Sequence, residues 1–244
     1  MTALTSEEII EVWRRQLQRL TAELNHLAHV DDVFWQVQAI IAANPDVNVG
    51  DVFQHWIGTC YVSTIVTGLR RIVDKRSGAL SLLKLLDQMG DRSTDILTRE
   101  RFVGGWERDL ITRAHRSFDG LGGRSSAGEV LHHIPRSAID LRRVRLSKEL
   151  APVIAYANER ITHLKESPQE ANVTFEQVRR ALVEVFAVVR WCSVLITGGD
   201  PLTPVPMIQS NWLSVFERPW LLPDADVPEY RHLDVLVRSR AEEG

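Results

Sequence analysis

Three polar residues, Asn158, Arg160 and His163, follow one another in the stretch YANERITHLKE, residues 156 to 166. An imidazole exchanges protons near neutral pH, and a guanidinium binds phosphate. Arg160 lies three residues before His163, so both share roughly one face of a helix. A structural interpretation is also open, in which Asn158 caps or bridges to a neighbouring helix and His163 pairs with a carboxylate. The stretch therefore indicates proton transfer beside a phosphate, binding of another ligand, or a purely structural role.

A second polar group, Arg70, Arg71 and Asp74, ends an apolar helical segment. Cations at a helix C-terminus interact favourably with the helix dipole, so an ordinary charged helix end is one interpretation. A buried Arg–Asp pair between two helices is another. In a third interpretation, the arginines bring positive charge to His163 if the fold places them close to it.

Other groups indicate less. Arg108 and His115 in RDLITRAHR are typical of a solvated basic face, with a phosphate-binding patch as the alternative. His26 and His29 have a spacing that can bind metal in helical bundles, but no Glu-x-x-His motif accompanies them. We therefore expect no metal site and no cofactor.

The helical apolar period runs through almost every long segment, and no strand alternation is evident. The sequence predicts an all-α fold, a helical bundle. Thr5–Glu8 and Thr174–Gln177 fit capping boxes. The expected helices span about 5–29, 31–44, 51–76, 79–90, 91–117 with a break at Gly104–Gly105, 137 or 147 to 166, and 174–198.

Two domains are expected. Residues 1–200 form the helical domain, and residues 201–244 form an extension with six of the ten prolines, packing on the bundle with one short helix near NWLSVFE. The stretch SFDGLGGRSSAGE, residues 117–129, is expected to be a loop, either a surface connection or a lid.

Composition limits the partners. The net charge of −3 gives no overall basic field, so any RNA contact must use a local patch. Cys60 and Cys192 lie in apolar helical runs and are expected to be small buried hydrophobes. No apolar run approaches the roughly 18 residues of a membrane span, and the N-terminal residues lack a signal-peptide pattern. A cytoplasmic protein without a membrane partner is expected.

Several segments together resemble the HEPN superfamily, most closely its branch associated with bacterial abortive infection. The resemblance rests on an arginine-rich helix end with Asp, a Ser-Leu-Leu run, an Asn-x-x-x-x-His element and a Thr-Phe-capped helix. These elements are Arg70, Arg71 and Asp74; Ser81, Leu82 and Leu83; Asn158 and His163; and Thr174 and Phe175. They cover about half of the chain.

The resemblance implies a four-helix core, a symmetric homodimer and a defence or toxin–antitoxin system. It also implies metal-independent ribonuclease chemistry, with RNA and a cognate antitoxin as partners. In that activity His163 would be the base, Asn158 a polar orienter, and Arg160 or Arg70 the phosphate-binding cation, beside Arg71 and Asp74. The motif's arginine position is Ala157, and alanine cannot bind phosphate.

A second function therefore stays open. In it the chain is a catalytically inactive helical dimer that binds RNA, a nucleotide or a protein partner.

Overall fold

The computed structural model describes residues 4–45, 52–123, 130–161, 172–198 and 211–217. Helices account for the secondary structure of these ranges apart from one isolated bridge between Thr98 and His133. The predicted all-α helical bundle is confirmed. The α-helices are α1 (Ser6–Ala43), α2 (Val52–Ile72), α3 (Leu82–Asp91), α4 (Arg99–Gly104), α5 (Ile111–Gly122), α6 (Arg136–Tyr156) and α7 (Phe175–Thr197).

Local sequence signals set several helix ends. Both predicted capping boxes are present, with the Thr5 side chain accepting from the Glu8 backbone N–H and the Thr174 side chain from that of Gln177. Helix α7 ends at Gly198, whose φ of 71° is a left-handed conformation that favours glycine. These ends were predictable because donor and acceptor lie within a few residues of each other.

Helix α1 is continuous over 38 residues, so the predicted break between His29 and Asp31 is wrong. Asp31 does not cap a new helix. Its carboxylate accepts hydrogen bonds from the Tyr61 hydroxyl at 2.6 Å and the Trp35 indole at 3.1 Å. Burial and this hydrogen bond raise the pKa of Tyr61 above its usual range. The aspartate thus joins α1 to α2.

Four long helices, α1, α2, α6 and α7, form the core of the bundle. Helix α1 packs on α2 and α7, and α6 packs on α7. Helices α1 and α2 approach closely at Gly68, where an added Cβ would lie 2.5 Å from a methyl carbon of Leu27. The Arg142 guanidinium lies 4.1 Å from the Trp191 ring centre and connects α6 to α7. This framework holds the ends of α2 and α6 in place.

The second half of the chain contains two further differences from the predicted boundaries. Helix α5 continues to Gly122, so the expected loop is helical over 117–122, and 124–129 lie outside the described residues. Helix α6 begins after Pro135, and neither Ser137 nor Ser147 caps it. Proline at Pro135 ends the preceding extended segment and allows a helix to start.

Surface exposure confirms the expectation for Cys192 and corrects that for Cys60. Cys192 is buried, and burial raises the pKa of its thiol to about 12. Cys60 is exposed, because it lies on the outer side of α2 with Trp56, which is 59% exposed. An apolar helical run therefore does not by itself place a cysteine or tryptophan in the core.

The chain divides into two compact units, Met1–Pro206 and Met207–Gly244. In the second unit the described part is a 3-10 helix, Trp212–Glu217, in which Trp212 contacts Phe216 edge to face. The predicted boundary at residue 200 and the packing of the extension stay predictions, since most of 199–244 lies outside the described residues.

Candidate functional site

A cleft of about 420 Å³ lies between the C-terminal end of α2 and the C-terminal half of α6. We call it the α2–α6 cleft. It contains three residues that the sequence singled out, Arg70, Asp74 and Asn158. The other lining residues are Val73, Lys75, Arg76, Leu83, Ser147, Leu150, Ala151 and Ile154.

The helix end follows from its pattern of buried and polar positions. Leu69 and Ile72 are buried in the core, whereas Arg70 lies between them in the sequence and lines the cleft. After α2 the chain turns at Gly78, whose φ is 78°. The Lys84 ammonium donates to the carbonyl oxygens of Arg76 and of Ala79, the latter at 3.1 Å. The turn that carries the charges is therefore fixed to α3.

Asp74 organises the cationic wall. Its carboxylate accepts the Arg76 backbone N–H at 2.9 Å and the Arg76 Nε–H at 3.0 Å. The backbone hydrogen bond is the first cause that holds the pKa of Asp74 below its usual range, and the charges of Arg76 and Arg70 add to it. The Arg76 side chain stays 74% exposed. Asp74 thus orients a cation toward solvent.

The charge balance of the cleft favours anions. Among the described lining residues, the three cationic side chains of Arg70, Lys75 and Arg76 face one carboxylate, that of Asp74, which leaves a formal surplus of two positive charges in that part of the lining. The whole chain is negative by three charges. The cleft is therefore a local basic patch on an acidic protein, which is the kind of patch that RNA contact requires here.

The opposite wall ends in an unusual backbone turn. Helix α6 gives way to a π-helical turn, Ala157–Ile161. Such turns are rare and occur frequently at functional sites. Asn158 is exposed on this turn and lines the cleft, whereas Ala157 is 1% exposed and packs in the core. An arginine at position 157 would therefore point its charge into apolar surroundings.

The other proposed catalytic residues are not brought into the cleft. Arg160 is exposed and is not among the lining residues. His163 lies outside the described residues, since 162–171 are not described. The position of His163 relative to the cations stays a prediction.

The predicted group of Arg70, Arg71 and Asp74 is divided by the structure. Arg71 forms an ion pair of 3.1 Å with Glu23 on α1 and lines a separate cavity of about 380 Å³. Consecutive helical residues point about 100° apart, so two adjacent arginines reach different neighbours. Asp74 borders both cavities. The Arg71–Glu23 pair joins two helices, but it uses a glutamate and its arginine side chain is 69% exposed, so it is not the buried Arg–Asp pair of that interpretation.

The structure also shows an arginine that the sequence did not single out. Arg99, with a side chain 12% exposed, donates to the Leu131 carbonyl and forms an ion pair with Asp119. It contacts His115 Nδ1 at 3.2 Å and lies 5.0 Å from the Phe118 ring centre. Its partners are up to 32 residues away, so local spacing gave no signal. His115 thus belongs to this network rather than to a free basic face.

Within the described ranges no group of three or more His, Cys, Asp or Glu side chains could hold a metal ion. None of the helices in those ranges is long and apolar enough to cross a bilayer. Comparisons with protein-family models, with curated proteins and with solved structures found no match. The geometry of the cleft therefore carries the argument for function.

Proposed function

We propose that this chain is a HEPN-like protein of a bacterial defence or toxin–antitoxin system and acts in the cytoplasm as a metal-independent endoribonuclease. The observation that supports it is the α2–α6 cleft, where Arg70, Lys75 and Arg76 lie opposite Asn158. His163 follows Asn158 by five residues in the sequence. The cations would hold an RNA phosphate, and the histidine would move the proton.

The proposed reaction is an internal transesterification. His163 takes the proton of the ribose 2′-hydroxyl, and the 2′-oxygen attacks the adjacent phosphorus. The bond from phosphorus to the 5′-oxygen breaks, and that oxygen leaves with a proton. The products are a 2′,3′-cyclic phosphate and a 5′-hydroxyl end. Negative charge develops on the phosphoryl oxygens, so fixed guanidinium groups lower the barrier.

Arg70, near the end of α2, and Arg76, in the turn after it, take the place of the motif arginine in this proposal. Position 157 packs in the core and cannot present a cation to phosphate. Arg70 and Arg76 reach the same cleft from the neighbouring helix end. Asn158 would position the ribose or phosphate by hydrogen bonds, and exposed Arg160 would add attraction for the RNA strand.

Cleavage of an end-labelled RNA in the presence of EDTA tests the catalytic proposal. We expect the wild type to cut and His163→Ala to lose about a hundredfold or more in rate, as is usual for loss of a general base. His55→Ala, which removes an exposed histidine on α2, is the matched control and should cut normally. If His163→Ala cuts at the rate of His55→Ala, the catalytic assignment is wrong.

The homodimer is a further part of the proposal. The side of α6 away from the core exposes Leu141 and Val144, at 59% and 65%, followed by Lys148, Ala151 and Ala155. We call this row the α6 outer stripe. Ala151 also lines the cleft, so a second copy packed on the stripe would lie beside the cleft. Large apolar side chains in a row on a surface favour protein contact.

Mass measurement by light scattering tests the dimer. We expect twice the 27.7 kDa chain mass for the wild type and the single mass for Val144→Glu. Val130→Glu, which alters a valine 61% exposed outside the stripe, is the control and should stay dimeric. A wild type that is monomeric at all concentrations would remove the dimer from the proposal.

The second candidate is a catalytically inactive dimer that binds RNA, a nucleotide or a protein such as a cognate antitoxin. The burial of Ala157 favours it, because the motif arginine is replaced by a core residue. Binding of RNA that weakens steeply with salt, without any cleavage, would support this candidate. Copurification with a protein and no affinity for RNA would support the antitoxin form.

A further inference from the structure

A second polar cavity, of about 540 Å³, lies between the N-terminal part of α1, the turn after α4 and the C-terminal end of α7. We call it the Arg101 pocket. None of its described lining residues also lines the α2–α6 cleft. Its charged lining residues are Glu7, Arg14, Arg101 and Glu107. Its volume is within the range of small-molecule sites.

Arg101 is the central cation of this pocket. Its side chain is partly buried, and burial lowers the pKa of its guanidinium, with nearby Arg14 lowering it further and Glu7 opposing this. Among the described residues its hydrogen-bond acceptor is the Ile96 carbonyl at 3.1 Å, and no carboxylate there lies within ion-pair distance. A guanidinium has five donors, so several of them remain for a ligand. A partly desolvated arginine gains most from a bidentate anion.

The rest of the lining combines apolar surface with one more donor. Trp106 lies close to the end of α7, where its indole nitrogen would be 3.6 Å from a Cβ added at Gly198. No hydrogen bond of that N–H to another described residue is found. Leu110, Leu195 and Ile196 form apolar walls beside it. The pocket thus offers a flat apolar surface next to an arginine.

The acidic residues limit the charge of the ligand. Glu7 is close enough to Arg101 to affect the pKa of the guanidinium, and Glu107 lines the same pocket. Among the described lining residues, two cations and two carboxylates leave no formal surplus of charge. A phosphate dianion would meet repulsion from both glutamates, whereas a monocarboxylate needs a single guanidinium fork.

We propose that the Arg101 pocket binds a small organic monocarboxylate with a flat apolar body. The carboxylate would bind the Arg101 guanidinium and the Trp106 indole N–H, and the apolar body would pack on Trp106 and Leu195. This site is distinct from the α2–α6 cleft, because no described residue is common to the two.

Titration calorimetry of the full chain with three matched probes tests the proposal. Phenylacetate carries the monocarboxylate, phenylacetamide is its neutral analogue, and phenyl phosphate is the dianion. We expect saturable binding of phenylacetate, and binding about tenfold weaker for each of the other two. Absence of saturable phenylacetate binding, or tighter binding of phenyl phosphate, would overturn the proposal.

Variants locate the binding site. Arg101→Gln should weaken phenylacetate binding about tenfold, and Arg92→Gln, which removes an exposed arginine paired with Asp95, should leave it unchanged. If Arg101→Gln does not fold, Arg14→Gln removes a cation whose side chain is 45% exposed on α1 and should still weaken binding. Glu7→Gln should reduce the discrimination against phenyl phosphate. Equal phenylacetate affinity of the wild type, Arg101→Gln and Arg14→Gln would contradict the assignment of the binding site.

Discussion

An arginine lies beside a carboxylate both at the C-terminal end of α2 and in the connection from α4 to α6. The guanidinium is exposed to solvent in the first region and enclosed by protein groups in the second. At the α2 end, Asp74 fixes the backbone of Arg76 while the guanidinium stays 74% exposed. In the α4–α6 connection, Arg99 is 12% exposed and its donors are directed to groups of the protein itself. An arginine can bind an external phosphate only where its donors are not all occupied within the protein.

The difference concerns the role of each region rather than its charge. The Arg99 network joins α4, α5 and the segment before α6, because its acceptors come from Asp119 and Leu131. The Arg76 guanidinium at the cleft pairs with Asp74, two residues earlier in the same turn, and this pair does not join two helices. Changes in the first region should therefore reduce stability, and changes in the second should reduce RNA binding with little effect on stability.

The largest expected effect is that of Ala157→Arg, which introduces an arginine at the position where the HEPN motif has one. Position 157 is 1% exposed, so the new charge would be buried without a partner. We expect the free energy of unfolding to fall by about 4 kcal/mol, measured by urea denaturation. Asn158→Arg, one residue later and exposed, is the control and should stay close to the wild type. Equal stabilities of the two variants would show that position 157 can turn to solvent.

Arg99→Leu should have the next largest effect. It removes the ion pair with Asp119 and leaves the partly buried Leu131 carbonyl without its side-chain donor. We expect a loss of about 3 kcal/mol in the free energy of unfolding. Arg92→Leu removes an exposed arginine–aspartate pair and should cost less than about 1 kcal/mol. A loss no larger than that of Arg92→Leu would mean that the network is not structural.

The smallest expected effect is that of pH on RNA binding. The pKa of Asp74 is held below its usual value, so its carboxylate stays charged as pH falls from 8 to about 5. Its charge is lost only when pH falls through that lower pKa, and the cleft then becomes more positive. In the His163→Ala variant, which lacks the proposed histidine base, binding measured by fluorescence anisotropy should therefore be nearly constant between about pH 5.5 and 8, at fixed salt.

The cleavage rate should behave differently from binding over the same pH range. A histidine base loses activity as it is protonated near its ordinary pKa of about 6.5, so the rate should fall toward pH 5.5. A rate that follows binding and shows no such fall would argue against His163 as the base.

The sequence predicted those features whose causes are local. The caps at Thr5 and Thr174 and the stop at Gly198 each depend on residues within one helical turn. The grouping of Arg70 with Asp74 and Asn158 in one cleft agrees with the phosphate-binding hypothesis, although the sequence placed Arg71 there too. Helical geometry alone could have separated Arg71 from Arg70, since adjacent positions face different neighbours.

Features with distant causes were not predictable in this way. Asp31 does not cap a new helix, and α1 continues through it. Its carboxylate accepts instead from the hydroxyl of Tyr61, 30 residues away. The exposure of Cys60 and Trp56 depends on which side of α2 faces the core. Apolar periodicity gives the face of a helix but not what covers it, so packing partners decided both cases.

The salt dependence of RNA binding tests the central claim, that the α2–α6 cleft holds RNA phosphate. The measurement compares the wild type with a triple variant, Arg70→Gln, Lys75→Gln and Arg76→Gln, and with a control triple variant at exposed or partly exposed arginines elsewhere, Arg92→Gln, Arg143→Gln and Arg145→Gln. Loss of three phosphate contacts should reduce the slope of log K against log salt by about 2, given roughly 0.7 for each contact with a single strand. The control should keep the wild-type slope. Equal slopes for both triple variants would show that the α2–α6 cleft does not hold RNA phosphate.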